Sequence, residues 1–253
     1  MKRRILIALA GLCLTTGSAW AVPVGLELVL LVDVSGSVST SEYTLQKQGY
    51  IDAFHSAAVQ NAILGSAGGA IAVTYVEWSG NNQQNQQVGW TLIDSASAAD
   101  DFADDIFATS RAFSGNTAVQ DAILFGTGLF ANAFEGTRNV IDVSGDGRDN
   151  ATTDCNTTTN ANCGVDFALA NGVSTINGLA ILGESGLLTY YQTNVVGGTG
   201  GFAVAVNSFD DFGDAIQSKL QREIAPVPEP GTLLLLGSGL TGYVMRRRRR
   251  KLT

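Results

Sequence analysis

Histidine is nearly missing: His55 is the only one in 253 residues. A site built on two imidazoles is excluded, and with it zinc-protease, multi-histidine and most copper chemistry. The three cysteines are too few for a disulfide scaffold. Proline stands at four, and charged residues at 15% against 45% hydrophobic. That balance is foreign to disordered or coiled-coil chains and is enough to bury a core. Positive charge is scarce in the middle of the chain. Nine of the 15 basic residues lie at the ends, in Lys2, Arg3 and Arg4 and in the run from Arg246 to Lys251. Six (Lys47, Arg111, Arg138, Arg148, Lys219, Arg222) are left between them against 23 acidic residues, a net charge of −17. A surface of that sign does not embrace phosphate backbones, so nucleic acid is excluded as a partner.

What the ends do contain is addressing information. Residues 1–21 have a basic start, an apolar run from Ile5 to Leu14 and the small-x-small stop Ala19-Trp20-Ala21, the three parts of a secretory signal peptide cut by signal peptidase. Cleavage after Ala21 removes Cys13. Cys155 and Cys163 then meet an oxidising compartment inside an Asn/Thr-rich stretch, and a small local disulfide is expected. At the other end, 226–253, Pro228-Glu229-Pro230 precedes 14 apolar or small residues from Thr232 to Met245 and then the arginine run. At ~1.5 Å per residue that segment spans roughly 21 Å, short of a ~30 Å hydrocarbon core, although flanking arginines can snorkel and hold the cytoplasmic side. This end resembles the PEP-CTERM sorting signal of Gram-negative bacteria. The resemblance implies transient anchoring in the inner membrane, cleavage by an exosortase, and delivery to the cell surface or extracellular matrix.

Between the ends, strand and helix patterns alternate. The near-continuous apolar run at 26–32 predicts a central strand covered on both faces. A helix capped by Ser39, Thr40 or Ser41 is expected to reach about Leu64. Further strands are predicted at 71–78, 88–93 (through a hairpin-like 80–87), 138–144, 174–182 and 202–206. Helices are predicted at 96–108, from Asn116 or Thr117 to Phe130, and at 165–171, 187–194 and 209–223. Asp100, Asp101, Asp104 and Asp105 read as a solvated face. The pattern predicts one domain, 24–225, of the α/β class: a Rossmann-like, doubly wound, mostly parallel sheet flanked by helices, in strand order 3-2-1-4-5-6.

In such a sheet, ligands sit beyond the carboxyl ends of the strands. The first strand delivers Asp33-x-Ser35-x-Ser37 there, and alternate residues of an extended segment point the same way. Ser114-Gly115-Asn116-Thr117 and Ser144-Gly145-Asp146-Gly147 should reach the same edge. Hydroxyls and carboxylates without nitrogen or sulfur suit Mg²⁺, Mn²⁺ or Ca²⁺. Asp142, in mid-strand, is either satisfied structurally or a buttress for these loops. His55 lies in a helix, remote in sequence from Asp33, and no general base stands out.

D-x-S-x-S followed by a Thr loop and an Asp-Gly loop resembles the metal-ion-dependent adhesion site of von Willebrand factor type A (vWA) domains. The resemblance implies direct ligation by Ser35, Ser37 and Thr117, with Asp33 and Asp146 nearby, often through water. Gln46-Lys47-Gln48-Gly49-Tyr50, Tyr75-Val76-Glu77-Trp78, Val140 to Gly147, Ile176 to Ile181 and Tyr190-Tyr191 are similar to an uncharacterised bacterial family of such domains. Residues 150–163 look inserted relative to it. The expectation is an exported binding protein, not an enzyme, whose cation holds an acidic group of an extracellular protein or matrix component. A structural matrix protein with a loop-stabilising ion is the alternative. Arg111 and Arg148, beside the Thr117 and Asp146 loops, are candidates to guide the incoming acid.

Overall fold

The structure is a computed structural model, and it describes residues 21–225. The signal-peptide segment up to residue 20 and the whole sorting segment from 226 lie outside the described residues. The strands are β1 (Val22–Val24), β2 (Leu26–Asp33), β3 (Ile71–Trp78), β4 (Gln84–Ile93), β5 (Phe134–Gly136), β6 (Asn139–Gly145), β7 (Thr175–Ile181), β8 (Gly197–Gly198) and β9 (Ala203–Val206). The helices are α1 (Thr40–His55), α2 (Ala57–Leu64), α3 (Ala96–Ala108), α4 (Val119–Gly128), α5 (Cys163–Ala170), α6 (Leu187–Asn194) and α7 (Phe212–Ile224).

The main sheet runs β4-β3-β2-β6-β7, with β8 and β9 both pairing β7. This is the expected order, parallel except for the β3–β4 hairpin and the two-residue β8. Alternation along β2 divides its apolar run between two cores. Leu28, Leu30 and Val32 join Tyr50, Phe54, Phe102, Phe212 and Leu220 under α1, α3 and α7. Val29 and Leu31 join Val119, Ile123, Val165, Leu187 and Tyr191 under α4, α5 and α6. A strand buried on both faces leaves its loop at the sheet's carboxyl edge as its functional surface.

Three expectations are corrected. The first helix does not run unbroken to Leu64: Ser56 is extended (φ −72°, ψ 135°), and its hydroxyl accepts the Val59 amide, so it ends α1 and caps α2. The folded body begins before residue 24, because Val22–Val24 pairs in parallel with Phe134–Gly136. Finally, α4 starts at Val119, with Ala118 at the cap position and no side-chain cap of its own.

The missing cap comes from the stretch after Asp146. Asp149 Oδ2 accepts the Gln120 amide at 2.9 Å and Thr152 Oγ1 accepts the Asp121 amide at 3.2 Å. A carboxylate at a helix N-terminus satisfies orphan amides and meets the positive end of the dipole. In return, Asp121 accepts the Thr153 and Asp154 amides, and Gln120 Oε1 accepts the Gly164 and Val165 amides at the start of α5. Cys155 and Cys163 form a disulfide with Cα atoms 6.0 Å apart. The segment that looks inserted is thus stitched to α4 and α5.

Candidate metal centre

Asp33 closes β2, and its Oδ1 accepts the Ser35 amide at 2.7 Å, turning the chain back over the strand end. Ser35 Oγ lies 3.0 Å from Ser37 Oγ, and Ser37 Oγ donates to Asp146 Oδ1 at 2.6 Å. Thr117 lines, together with Ser37 and Asp146, a cleft of about 510 Å³ whose walls include Glu42, Arg148, Asp149 and Glu184. All five residues that the sequence offers as metal donors are therefore gathered at the carboxyl edge of β2 and β6.

The three loops also hold one another. The Gly36 amide donates to Gly115 O at 2.7 Å. Ser79, just past β3, donates from Oγ to Asn116 O and accepts the Gly115 amide. Thr117 donates its amide to Asn150 Oδ1 at 3.0 Å, and the Asn150 amide returns a bond to Thr117 O at 2.8 Å. Gln46, on α1, donates to Asp33 O at 3.0 Å. Sequence reasoning missed Ser79, Asn150, Asp149 and Gln46. No sequence signal marked them, because Asn116 and Thr117 already offered capping residues for the helix that follows.

Arg111 does not serve as the expected guide for an acid. Its Nη2 donates to Val34 O, Ser35 O and Val38 O at 2.9, 2.8 and 2.7 Å, and its Nε donates to Phe113 O at 2.9 Å. The guanidinium, which also lies 5.6 Å from the Tyr43 ring centroid, is committed to bracing the D-x-S-x-S loop from behind. Arg148 does line the cleft. Its Nε is 3.1 Å from Glu184 Oε1 and its Nη2 donates to Ser185 O. It is the one basic side chain among the described residues of the lining.

The electrostatics are those of a site short of positive charge. Asp33 is fully buried, and its Oδ2 finds no hydrogen-bond donor. Burial, and then the negative charge of Asp146, push its carboxyl up to about 7. Asp146 is raised as well, chiefly by burial, with Glu42 and Glu184 adding to the rise against the Ser37 hydrogen bond. Room for Asp33 depends on Gly145, where a Cβ would stand 2.7 Å from both Asp33 Oδ2 and Tyr191 OH. Among the described residues, no group of three or more His, Cys, Asp or Glu is placed to hold a metal. Here hydroxyls complete a donor set that carboxylates alone do not. An unpartnered buried carboxylate oxygen, three hydroxyls and an acidic rim fit a hard divalent cation.

Several solved structures share this fold. Proximal thread matrix protein 1 from the mussel byssus, with a zinc-occupied MIDAS motif, is 15% identical over 79% of this chain and 46% of its own, with a TM-score of 0.55. The pilus adhesin SpaC from Lactobacillus rhamnosus GG is 15% identical over 81% and 30%, TM-score 0.59. The vWF domain of the type V pili tip protein Mfa5 from Porphyromonas gingivalis is 12% identical over 83% and 98%, TM-score 0.52. The chain spans less than half the length of the mussel and Lactobacillus proteins. At such identities the likeness is one of fold, the vWA fold. No curated protein matches the chain. Residues 226–250, which include Pro228, Glu229 and Pro230, match the PEP-CTERM protein-sorting motif, the mark of exosortase processing and sorting to the exterior. Residues 23–228 match the family described as "Protein of unknown function (DUF1194)", and with most of its length inside that match the chain belongs to this family, as a vWA-fold member carrying a C-terminal sorting motif.

Proposed function

We propose that this is an exported, surface- or matrix-associated binding protein that holds an acidic group of an extracellular partner through a divalent cation, Mg²⁺ or else Mn²⁺ or Ca²⁺. One observation carries the reading: Asp33, Ser35, Ser37, Thr117 and Asp146, drawn from three loops, share one edge of the sheet, where Ser37, Thr117 and Asp146 line a cleft and Asp33 and Ser35 are bonded beneath it. Ser35, Ser37 and Thr117 would ligate the ion, with Asp33 and Asp146 beside them to balance its charge. When bound, the ion supplies a Lewis-acidic position for a carboxylate. The chain's own part is to keep the hydroxyls converged and to present Arg148 at the rim, where it faces the incoming acid. The N-terminal segment directs export and is removed by signal peptidase, and the sorting segment anchors the chain transiently in the inner membrane of a Gram-negative cell until an exosortase cuts it.

Binding rather than turnover is proposed because the hydroxyls and carboxylates of the cleft suit a cation, and no histidine is among its described lining residues. The single histidine ends α1 on the exposed surface, 3.9 Å from Asp104. A second reading, a matrix protein in which the ion only stabilises the loops, draws support from the direct bonds among the three loops. Asp33→Ala separates the two. Loss of partner capture from surface extract in Mg²⁺, with a folded domain and with wild-type capture abolished by chelator, supports the binding protein. Lost stability with capture intact favours the matrix role.

A further inference from the structure

The core under α7 contains three buried ionisable groups outside the cleft. Lys219 and Glu223 lie one turn apart on α7, and Asp142 lies in the middle of β6. Their exposures are 1%, 3% and 0%. Lys219 Nζ donates a 2.5 Å hydrogen bond to Glu223 Oε1 and is in contact with Asp142 Oδ1. Both contacts are buried ion pairs. Glu223 accepts a hydrogen bond, whereas neither oxygen of Asp142 has a hydrogen-bond partner, and Glu223 Oε2 is also without one. An ion triad of this kind is costly in an apolar interior, where well-packed hydrophobic side chains serve stability as well or better. The arrangement holds a primary amine against an oxygen of one carboxyl, out of water, with a second carboxyl hydrogen-bonded to the amine. An amine, a carboxyl and a second carboxyl able to carry protons, brought together out of water, are the groups an acyl condensation needs.

We propose that Lys219 and Asp142 condense into an intramolecular isopeptide bond, with Glu223 as the acid–base catalyst. The reaction starts from an ammonium, a carboxylate and a protonated Glu223. Glu223 gives its proton to an Asp142 oxygen and takes one from Nζ, leaving a neutral amine, a carboxylic acid and a restored Glu223. The Nζ lone pair then attacks Asp142 Cγ, forming the Nζ–Cγ bond as the C=O pair moves onto oxygen. A second exchange through Glu223 removes a proton from nitrogen and delivers one to the departing hydroxyl. The Cγ–O bond breaks, one water leaves and an amide remains. Charge is conserved, no oxidant or co-reactant is needed, and Glu223 ends as it began. Burial, and then the charge of Asp142, push the Glu223 carboxyl up to about 8, so it holds a proton at neutral pH. The water has an exit, since Glu223, Asn177 and Phe202 line a cleft of about 320 Å³ between the starts of β6, β7 and β9. Asp142 is assigned as the electrophile because it is fully buried on a central strand, whereas Glu223, on α7, keeps the proton that the relay needs.

The bond would join α7, the last described helix before the sorting motif, to a central strand of the sheet. A pull on a C-terminally held molecule would then reach β6 through covalent bonds alone. The test is mass spectrometry of the full chain, reduced and denatured, beside its Glu223→Gln and Lys219→Arg variants from the same preparation, so that processing of the ends cancels. Relative to its sequence, the wild type should be lighter than either variant by one water. Its digest should contain a branched peptide joining Asp142, within residues 139–148, to Lys219. The branch matters because aspartate cyclisation also loses water but links no second peptide. Wild-type protein at full mass, with Asp142 and Lys219 recovered only in linear peptides, overturns the proposal, and this holds even if neither variant folds. A folded Glu223→Gln chain as completely cross-linked as the wild type overturns the part given to Glu223.

Discussion

Asp33 illustrates how a single carboxylate sets the behaviour of the site. One oxygen is satisfied by the Ser35 amide, while the other is buried without a donor. An unfolded aspartate ionises near 3.8, whereas burial and Asp146 hold Asp33 protonated up to about 7 in the fold. Between those values the folded state binds more protons than the unfolded one, so stability falls as pH rises through that window. In chelator, the melting temperature should therefore drop from about pH 4 to about pH 7 by more than in Asp33→Asn. Saturating Mg²⁺ should flatten the difference, because an adjacent cation favours the ionised form. A melting profile indifferent to both the variant and the ion would contradict this. Gly145→Ala places a methyl group 2.7 Å from Asp33 Oδ2 and Tyr191 OH. The displaced carboxylate should weaken cation affinity by ~10–100-fold, the range found when groups supporting metal ligands are disturbed; calorimetry on the folded variant checks it.

At the level of elements, the strands were readable where burial is complete. The apolar run of β2 and the whole of β3 stand within a residue of their expected bounds because both are covered on both faces. β1 and β5, three residues each, and the Gly197–Gly198 pair carry no periodicity, and only the tertiary structure makes them strands. The five donors were legible because βα order alone brings their loops to one edge. Their supports were not, since Arg111, Ser79 and Asn150 act through backbone atoms of residues far away in sequence. The same remoteness hid the cap of α4. Asp149→Ala removes the acceptor of the Gln120 amide and of Thr152 Oγ1, and should cost about 1 kcal/mol, within the 0.5–2 kcal/mol range of lost helix caps. Denaturant titration reads it. Because Asn150 fixes Thr117 from the next position, cation affinity should fall as well; an unchanged affinity would show that the 149–154 segment is not coupled to the metal centre.

Over the whole molecule, charge and architecture point the same way. A body whose six basic residues face 22 acidic ones attracts cations generally, and the cleft concentrates Glu42, Asp146, Asp149 and Glu184 around the hydroxyls. At ~0.1 M salt, fields beyond ~10 Å are screened, so the local set, with Arg148 at its rim, decides what approaches. Among the described residues no helix is long and apolar enough to cross a membrane, and the sorting motif follows directly on the fold. If the cation completes the folded body, excess ion should stabilise it by about 2.7 kcal/mol at a hundredfold over the dissociation constant. The most direct test is calorimetric titration of Mg²⁺ and Mn²⁺ into metal-stripped protein, beside Asp146→Ala. The account predicts saturable heat from a single site in the wild type, lost in a variant whose circular dichroism is unchanged. No heat from either ion, or equal heat from the folded variant, would contradict it.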